Sequence, residues 1–135
     1  MQQEIIMKNM EKVKIHQFDP VIYPYKIWVV VNNIPDIISE QFYQFDSKEI
    51  ESWANCANLD AFAMPVRNKE HKYYGCILFF SSKESMTYNI VAHESCHAAK
   101  NLFEYIDADM KHHEPFEYVV GWIAECCESV KNNIT

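Results

Sequence analysis

The sequence has little that would divide it into separate parts. It is 135 residues long, contains only two glycines and has no Gly/Ser-rich linker or internal repeat. We therefore expect one domain, residues 1–135, since domains usually split only above roughly 200–300 residues. The chain also lacks the run of about 20 apolar residues that a membrane span needs. Residues 1–10 lack the apolar stretch and small-residue cleavage site of a signal peptide.

Positive charge and paired cysteines are also scarce. There are 12 Lys and Arg but 19 Asp and Glu, which gives a formal net charge of −7. Binding to a nucleic-acid backbone or an anionic membrane normally requires the opposite sign, so neither is expected as a partner. The five cysteines are odd in number and none lies in a CxxC spacing. This pattern argues against a disulfide framework and against a zinc finger, and it indicates reduced thiols in a cytoplasmic protein.

The chain does have a hydrophobic fraction of 49%, which excludes a disordered or low-complexity protein. Three segments rich in β-branched and aromatic residues are predicted strands: 26–31, 61–67 and 72–81. Short helices are predicted at 35–45 and 47–55, and each proline is expected to mark a boundary. A long helix is predicted from the 81–85 region to Tyr105, followed by a loop and by a last helix with Pro115 in its first turn. Strands followed by two helices predict an α+β domain with a small mixed or antiparallel sheet.

Within the long predicted helix, His93-Glu94-Ser95-Cys96-His97 form an HExxH motif. Positions i and i+4 share one helix face one turn apart, so both imidazoles can bind one Zn²⁺. Glu94 lies about 100° around the helix from His93, where it can act as general base on a metal-activated water. The composition of this chain gives roughly 0.02–0.03 chance matches to HExxH, so the motif is specific.

A catalytic zinc also needs a third protein ligand and an open position for water. Four residues at the start of the last predicted helix are candidates for this ligand: His112, His113, Glu114 and Glu117. The spacing does not decide among these four candidates. A glutamate would give the zinc one negative ligand, whereas a histidine would complete a triad of neutral ligands. Acids at a helix N-terminus also stabilise the helix dipole without any metal, by about 0.3–1 kcal/mol each. Glu104 shares the face of His97 two turns on, and we interpret it as a solvated acid.

Two segments, residues 90–99 around HExxH and residues 114–122, carry a resemblance to a known family. The second segment, EPFEYVVGW, matches E-x-[FY]-x-Y-x-x-G-[YW], which is the frame of the pattern E-A-[FY]-A-Y-L-x-G-[YW]. Together they resemble small zinc metallopeptidase-like proteins encoded by phages and mobile elements, and residues 22–29 are similar to the early strand of that group. The resemblance implies a zincin-like fold and a gluzincin-like zinc site, with His93, His97 and Glu114 as ligands and Glu94 as the catalytic residue. Glu117 replaces the usual small residue, which leaves the choice between the two acids open.

A second resemblance rests on HESCHAA at residues 93–99 and HEPF at residues 113–116. In outline these are similar to SprT-like metalloproteases, which cut proteins crosslinked to DNA. That resemblance implies His113 or His112 as the third ligand. The acidic charge balance and the absence of a basic tail or zinc ribbon favour the first family.

The motif and the downstream acid together predict a zinc-dependent peptidase acting on a peptide or protein substrate. The strand at Tyr74–Phe80 is expected to lie beside the cleft and to pair with an extended substrate. Two alternatives stay open. One is a non-catalytic, metal-containing interaction protein of a mobile element, and the other is a helical scaffold without metal. The sequence specifies neither the substrate nor the oligomeric state.

Overall fold

The computed structural model describes residues 14–31, 36–51, 59–111 and 113–134. Strands in these residues are β1 (Ile15–Phe18), β2 (Lys26–Val31), β3 (Phe42–Gln44), β4 (Ala61–Asn68) and β5 (Tyr74–Phe80). The α-helices are α1 (Asp36–Gln41), α2 (Tyr88–Tyr105) and α3 (His113–Asn132). A short 3₁₀ turn at Lys83–Ser85 precedes α2.

The strands form one mixed sheet in the order β1-β2-β5-β4-β3. The central strands β2 and β5 are parallel, and the other neighbouring pairs are antiparallel. The parallel pair runs in register from Lys26 opposite Gly75 to Val31 opposite Phe80. A parallel pair cannot be joined by a tight turn, and here α1, β3 and β4 make the crossover. This sheet with its helices confirms the predicted α+β class.

Each face of the central sheet is buried under helices. Side chains at alternate positions of β2 and β5 pack with α2 and α3 on one face: Ile27, Val29, Cys76, Leu78 and Phe80. The intervening side chains pack with α1 on the other face: Trp28, Val30, Ile77 and Phe79. Strands buried on both faces are apolar at successive positions rather than alternating. This burial on both faces explains why the sequences of β2 and β5 are continuous apolar runs.

Most of the predicted elements are confirmed. The strand predicted at 26–31 is β2, the strands predicted at 61–67 and 72–81 are β4 and β5, and both long helices are present. The first of these helices ends at Tyr105 as predicted, but it begins at Tyr88 rather than in the 81–85 region, where Lys83–Ser85 form the 3₁₀ turn. Pro115 lies in the first turn of α3, as predicted. The two strands that were not predicted, β1 and β3, are four and three residues long and lie at the sheet edges. They carry too few apolar residues to show a period.

Three local predictions were wrong. The helix predicted at 35–45 ends at Gln41, because the next residue begins β3. The helix predicted at 47–55 is not helical in its described part, where the amide of Gln44 bonds the carbonyl of Lys48 and Glu49 forms a bridge with Tyr43. Residues 52–58 lie outside the described ranges. Pro65 lies inside β4 rather than at a boundary, one residue before the part of β4 that pairs with β3.

No helix in the described part of the chain is both long enough and apolar enough to span a bilayer.

Gly75 provides a test of the central strand pair. A Cβ there would overlap the carbonyl oxygen of Lys26 and lie 2.5 Å from Cζ3 of Trp28, whereas a Cβ at Gly121 on α3 would have open space around it. We expect Gly75→Ala to lower the free energy of unfolding by about 1–3 kcal/mol through overpacking. The matched variant Gly121→Ala is expected to raise it by about 0.5–1 kcal/mol, because alanine favours helix. Urea unfolding measures both, and shifts of the same sign would contradict this packing.

Candidate functional site

The five residues of the HExxH motif lie in the middle of α2. The helix begins after Thr87, whose hydroxyl accepts a hydrogen bond from the amide of Ile90 and caps the first turn. More than one helical turn before the motif and about two turns after it therefore hold its backbone. The motif has a regular helical geometry, as its i and i+4 spacing requires.

The two histidines face the same side of α2 and touch each other. Nε2 of His93 lies 3.1 Å from Nε2 of His97, with the ring centroids 4.7 Å apart and the ring planes at 74°. Two nitrogens bound to one tetrahedral zinc at about 2.1 Å would lie about 3.4 Å apart. Both side chains are exposed to solvent. The pair is therefore close to the spacing that two ligands of a single zinc ion need.

Glu94 lies beside the pair on the side of α2 that faces the sheet. It is 8% exposed, and its Oε1 lies 4.0 Å from Nε2 of His93. It accepts no hydrogen bond from any residue described. The charge of Glu94 reaches the Cys76 thiol on β5. Burial raises the pKa of this thiol to about 12, a hydrogen bond from Asn101 lowers it, and the nearby charge of Glu94 raises it further. The carboxylate thus lies between the histidines and the sheet, and no described residue donates a hydrogen bond to it.

The burial of Ser95 shows which way the histidines point. Its side chain is fully buried, and its hydroxyl is close enough to the Cys127 thiol on α3 to lower that thiol's pKa, which burial raises to about 12. Its Oγ nevertheless has no hydrogen bond of good geometry within the described ranges. Because successive helical residues are 100° apart, Ser95 is about 200° from each histidine. His93 and His97 consequently point away from α3.

The start of α3 lies beside the far end of α2. The ring of Phe116 is 5.3 Å from that of Phe103, centroid to centroid. Phe103 is ten residues after His93, about 15 Å along the helix axis. Glu114 and Glu117 line a separate cavity of about 530 Å³ on α3, together with Tyr118, Gly121, Trp122 and Glu125.

The structure therefore brings together only part of the predicted site. His93, His97 and Glu94 are adjacent, but no three His, Cys, Asp or Glu side chains gather where they could hold a metal ion in residues 14–31, 36–51, 59–111 and 113–134. Glu114, Glu117 and His113 do not join the histidine pair. His112 lies outside the described ranges. The third ligand stays a prediction.

The prediction that Tyr74–Phe80 pairs with a substrate is wrong. This strand is β5, and it already pairs with β2 on one side and β4 on the other. On the other side of β4, β3 pairs with residues 66–68. The helix α2 packs over β4. Long apolar runs mark the centre of a sheet, where a strand already has partners on both sides.

Comparisons of the chain with models of protein families, with curated proteins and with solved structures give no match. The resemblances drawn from the motif segments therefore stay predictions. The functional interpretation depends on the geometry of the HExxH residues.

Ser95 can be replaced without disturbing the ligands. Ser95→Ala removes a buried hydroxyl that lacks a well-formed hydrogen bond and adds a better helix former. We expect the free energy of unfolding to rise by about 1 kcal/mol. Thermal and urea unfolding measure this change, and a loss of stability would show that the contact with Cys127 contributes a net hydrogen bond.

Proposed function

We propose that this chain is a zinc-dependent hydrolase of the peptidase type, with a zincin-like arrangement of sheet and helix. One observation carries the proposal: the two Nε2 atoms of His93 and His97 lie 3.1 Å apart on an exposed helix face, with the carboxylate of Glu94 beside them. Two imidazoles with this spacing match the donor set that zinc prefers. A zinc ion bound there would supply Lewis-acid chemistry and make water nucleophilic at neutral pH.

Glu94 is the proposed general base and acid. It is largely screened from solvent and accepts no hydrogen bond from the described part of the chain, so its oxygens remain available to a water molecule. In the reaction it would take a proton from the attacking water and deliver it to the amine that leaves. The contact with the sheet keeps the carboxylate on this side of α2.

The third ligand separates two candidate functions. The family resemblance implies Glu114, but the start of α3 contacts α2 at Phe103, which lies about 9 Å along the helix axis beyond His97 and about 15 Å beyond His93. A non-catalytic, metal-containing interaction protein is the second candidate. It is favoured by the observation that the histidines point away from α3, where the candidate ligands lie.

We further propose that the protein works in the reducing cytoplasm and does not bind nucleic acid. The four cysteines in the described ranges are free thiols: Cys76, Cys96, Cys126 and Cys127. Burial raises the pKa of three of them to about 12, which keeps them protonated and slow to form disulfides. The net charge of −7 opposes binding to a phosphate backbone.

Zinc content tests the histidine pair directly. We expect about one zinc per chain in the native protein by elemental analysis, and none in His93→Ala, because a single imidazole cannot hold the ion at a two-histidine site. His71→Ala is the matched control, since His71 is exposed and stacks on Tyr73 away from α2. Equal zinc content in His93→Ala and His71→Ala would contradict the assignment of the histidine pair as the zinc site.

The third ligand can then be identified by single replacement of the four candidates with alanine: His112, His113, Glu114 and Glu117. The one whose loss weakens zinc binding is the ligand. If none of the four weakens it, the gluzincin-like site is excluded and the non-catalytic candidate is favoured.

Turnover tests the role of Glu94. We expect Glu94→Gln to keep its zinc and to cut an unfolded protein such as casein about 10²–10⁴ times more slowly, because the amide cannot accept the proton. Glu84→Gln serves as the control, since Glu84 lies in the exposed 3₁₀ turn before α2. Unchanged hydrolysis by Glu94→Gln would exclude this mechanism.

A further inference from the structure

A small cavity lies two turns along α2 from the histidine pair. It has a volume of about 230 Å³ and is lined by Tyr25, Phe45, Pro65, Asn101, Glu104 and Tyr105. Glu104 is seven residues after His97, about 10.5 Å along the axis and on the same helix face. The cavity is smaller than the roughly 300–1,000 Å³ of sites that enclose a whole small molecule. Its size suits a single side chain.

Aromatic rings form much of the wall. The ring of Tyr105 lies 5.0 Å from that of Tyr25 and 6.1 Å from that of Phe45, centroid to centroid. The faces of aromatic rings attract cations, most strongly where water is excluded. Tyr74 belongs to the same ring cluster but does not line the cavity, and Cζ of Arg67 lies 4.9 Å over its ring. The cluster thus already holds one cation on its outer side.

Three hydrogen-bond acceptors belong to the cavity lining. Tyr25 is 1% exposed, and its hydroxyl has no hydrogen-bond partner among the residues described. Asn101 uses its Nδ2 to donate to the sulfur of Cys76 at 3.5 Å, which leaves its Oδ1 as an acceptor. Glu104 supplies a carboxylate close enough to raise the pKa of the Tyr25 hydroxyl, after the larger effect of burial. An alkylammonium group has three donors and no acceptor, so it complements this set.

We propose that this cavity binds the ammonium of a lysine side chain of the substrate, held by the hydroxyl of Tyr25, Oδ1 of Asn101 and the carboxylate of Glu104. The inference rests on the proposed peptidase function and names its substrate class. The offset of about 10.5 Å corresponds to about three residues of extended chain, so the lysine lies within about three residues of the bond that is cut.

Binding of two matched peptides to metal-free Glu94→Gln protein tests the cavity without any turnover. Calorimetry compares acetyl-Ala-Ala-Lys-Ala-Ala-amide with the same peptide carrying norleucine, which keeps the alkyl chain and removes the ammonium. We expect the lysine peptide to bind about tenfold more tightly. Equal affinity, or no binding of either peptide, overturns the proposal. Free n-butylammonium is the third probe, and if it binds as tightly as the lysine peptide, the site takes free amines and the substrate class is wrong.

Two conservative variants test whether the preference for the lysine peptide arises in this cavity. Glu104→Gln and Tyr25→Phe are each expected to reduce the lysine preference about fivefold or more. Tyr25→Phe is also expected to keep or raise the Tm, because the lost hydroxyl has no partner in the described structure. A purely structural role would lower the Tm and leave the preference intact, which would overturn the proposal. Glu84→Gln and Tyr88→Phe are controls of the same chemistry at exposed positions.

The outcomes distinguish this inference from the proposed function. A lysine preference in a protein that never binds zinc supports the cavity and contradicts the hydrolase. Zinc-dependent turnover without any lysine preference supports the hydrolase and contradicts the cavity.

Discussion

The rotation of α2 about its own axis is the constraint on which the candidate site depends. Four apolar or small side chains spaced along one stripe are buried between the sheet and α3: Val91, Ser95, Ala98 and Leu102. Burying a large aliphatic side chain contributes about 1.5–3 kcal/mol. Rotating the helix by one residue in one direction would replace this stripe with Ile90, Glu94, His97 and Asn101, which would bring a charged carboxylate and polar groups into the core. The positions of Glu94 and of both histidines follow from this packing.

The same rotation determines which groups of α2 face the sheet. Glu94 and Asn101 are seven residues apart and share the side that faces the sheet, where the charge of the first and a hydrogen bond from the second both reach Cys76. The histidines and Glu104 form the adjoining exposed stripe. The helix packs over β4 and over the central strand β5. His97 and Glu104, which lines the aromatic cavity, consequently lie on one face of the helix.

The helix α3 stabilises the core but does not approach the histidines. Ile123, Cys127 and Val130 are buried in the same core as the stripe of α2. Their packing and the contact between Phe103 and Phe116 set the antiparallel alignment of the two helices. The acids at the start of α3 consequently lie near the last turn of α2. The histidines and these acids are therefore separated along the helix axis, although few residues lie between them in the sequence. The sequence spacing alone does not show this separation.

The sequence by itself determined the central strands, the two long helices and the histidine pair. Each of these depends on a local period: successive apolar residues in a strand buried on both faces, and a spacing of four on one helix face. Tertiary structure decided what depends on contacts between distant segments. It gave β5 a strand partner on each side, and it turned the histidines away from α3. It also joined Tyr25 and Glu104, 79 positions apart, in one cavity. The physical reason is that strand order and helix alignment are set by which surfaces bury one another, and local periodicity does not encode that choice.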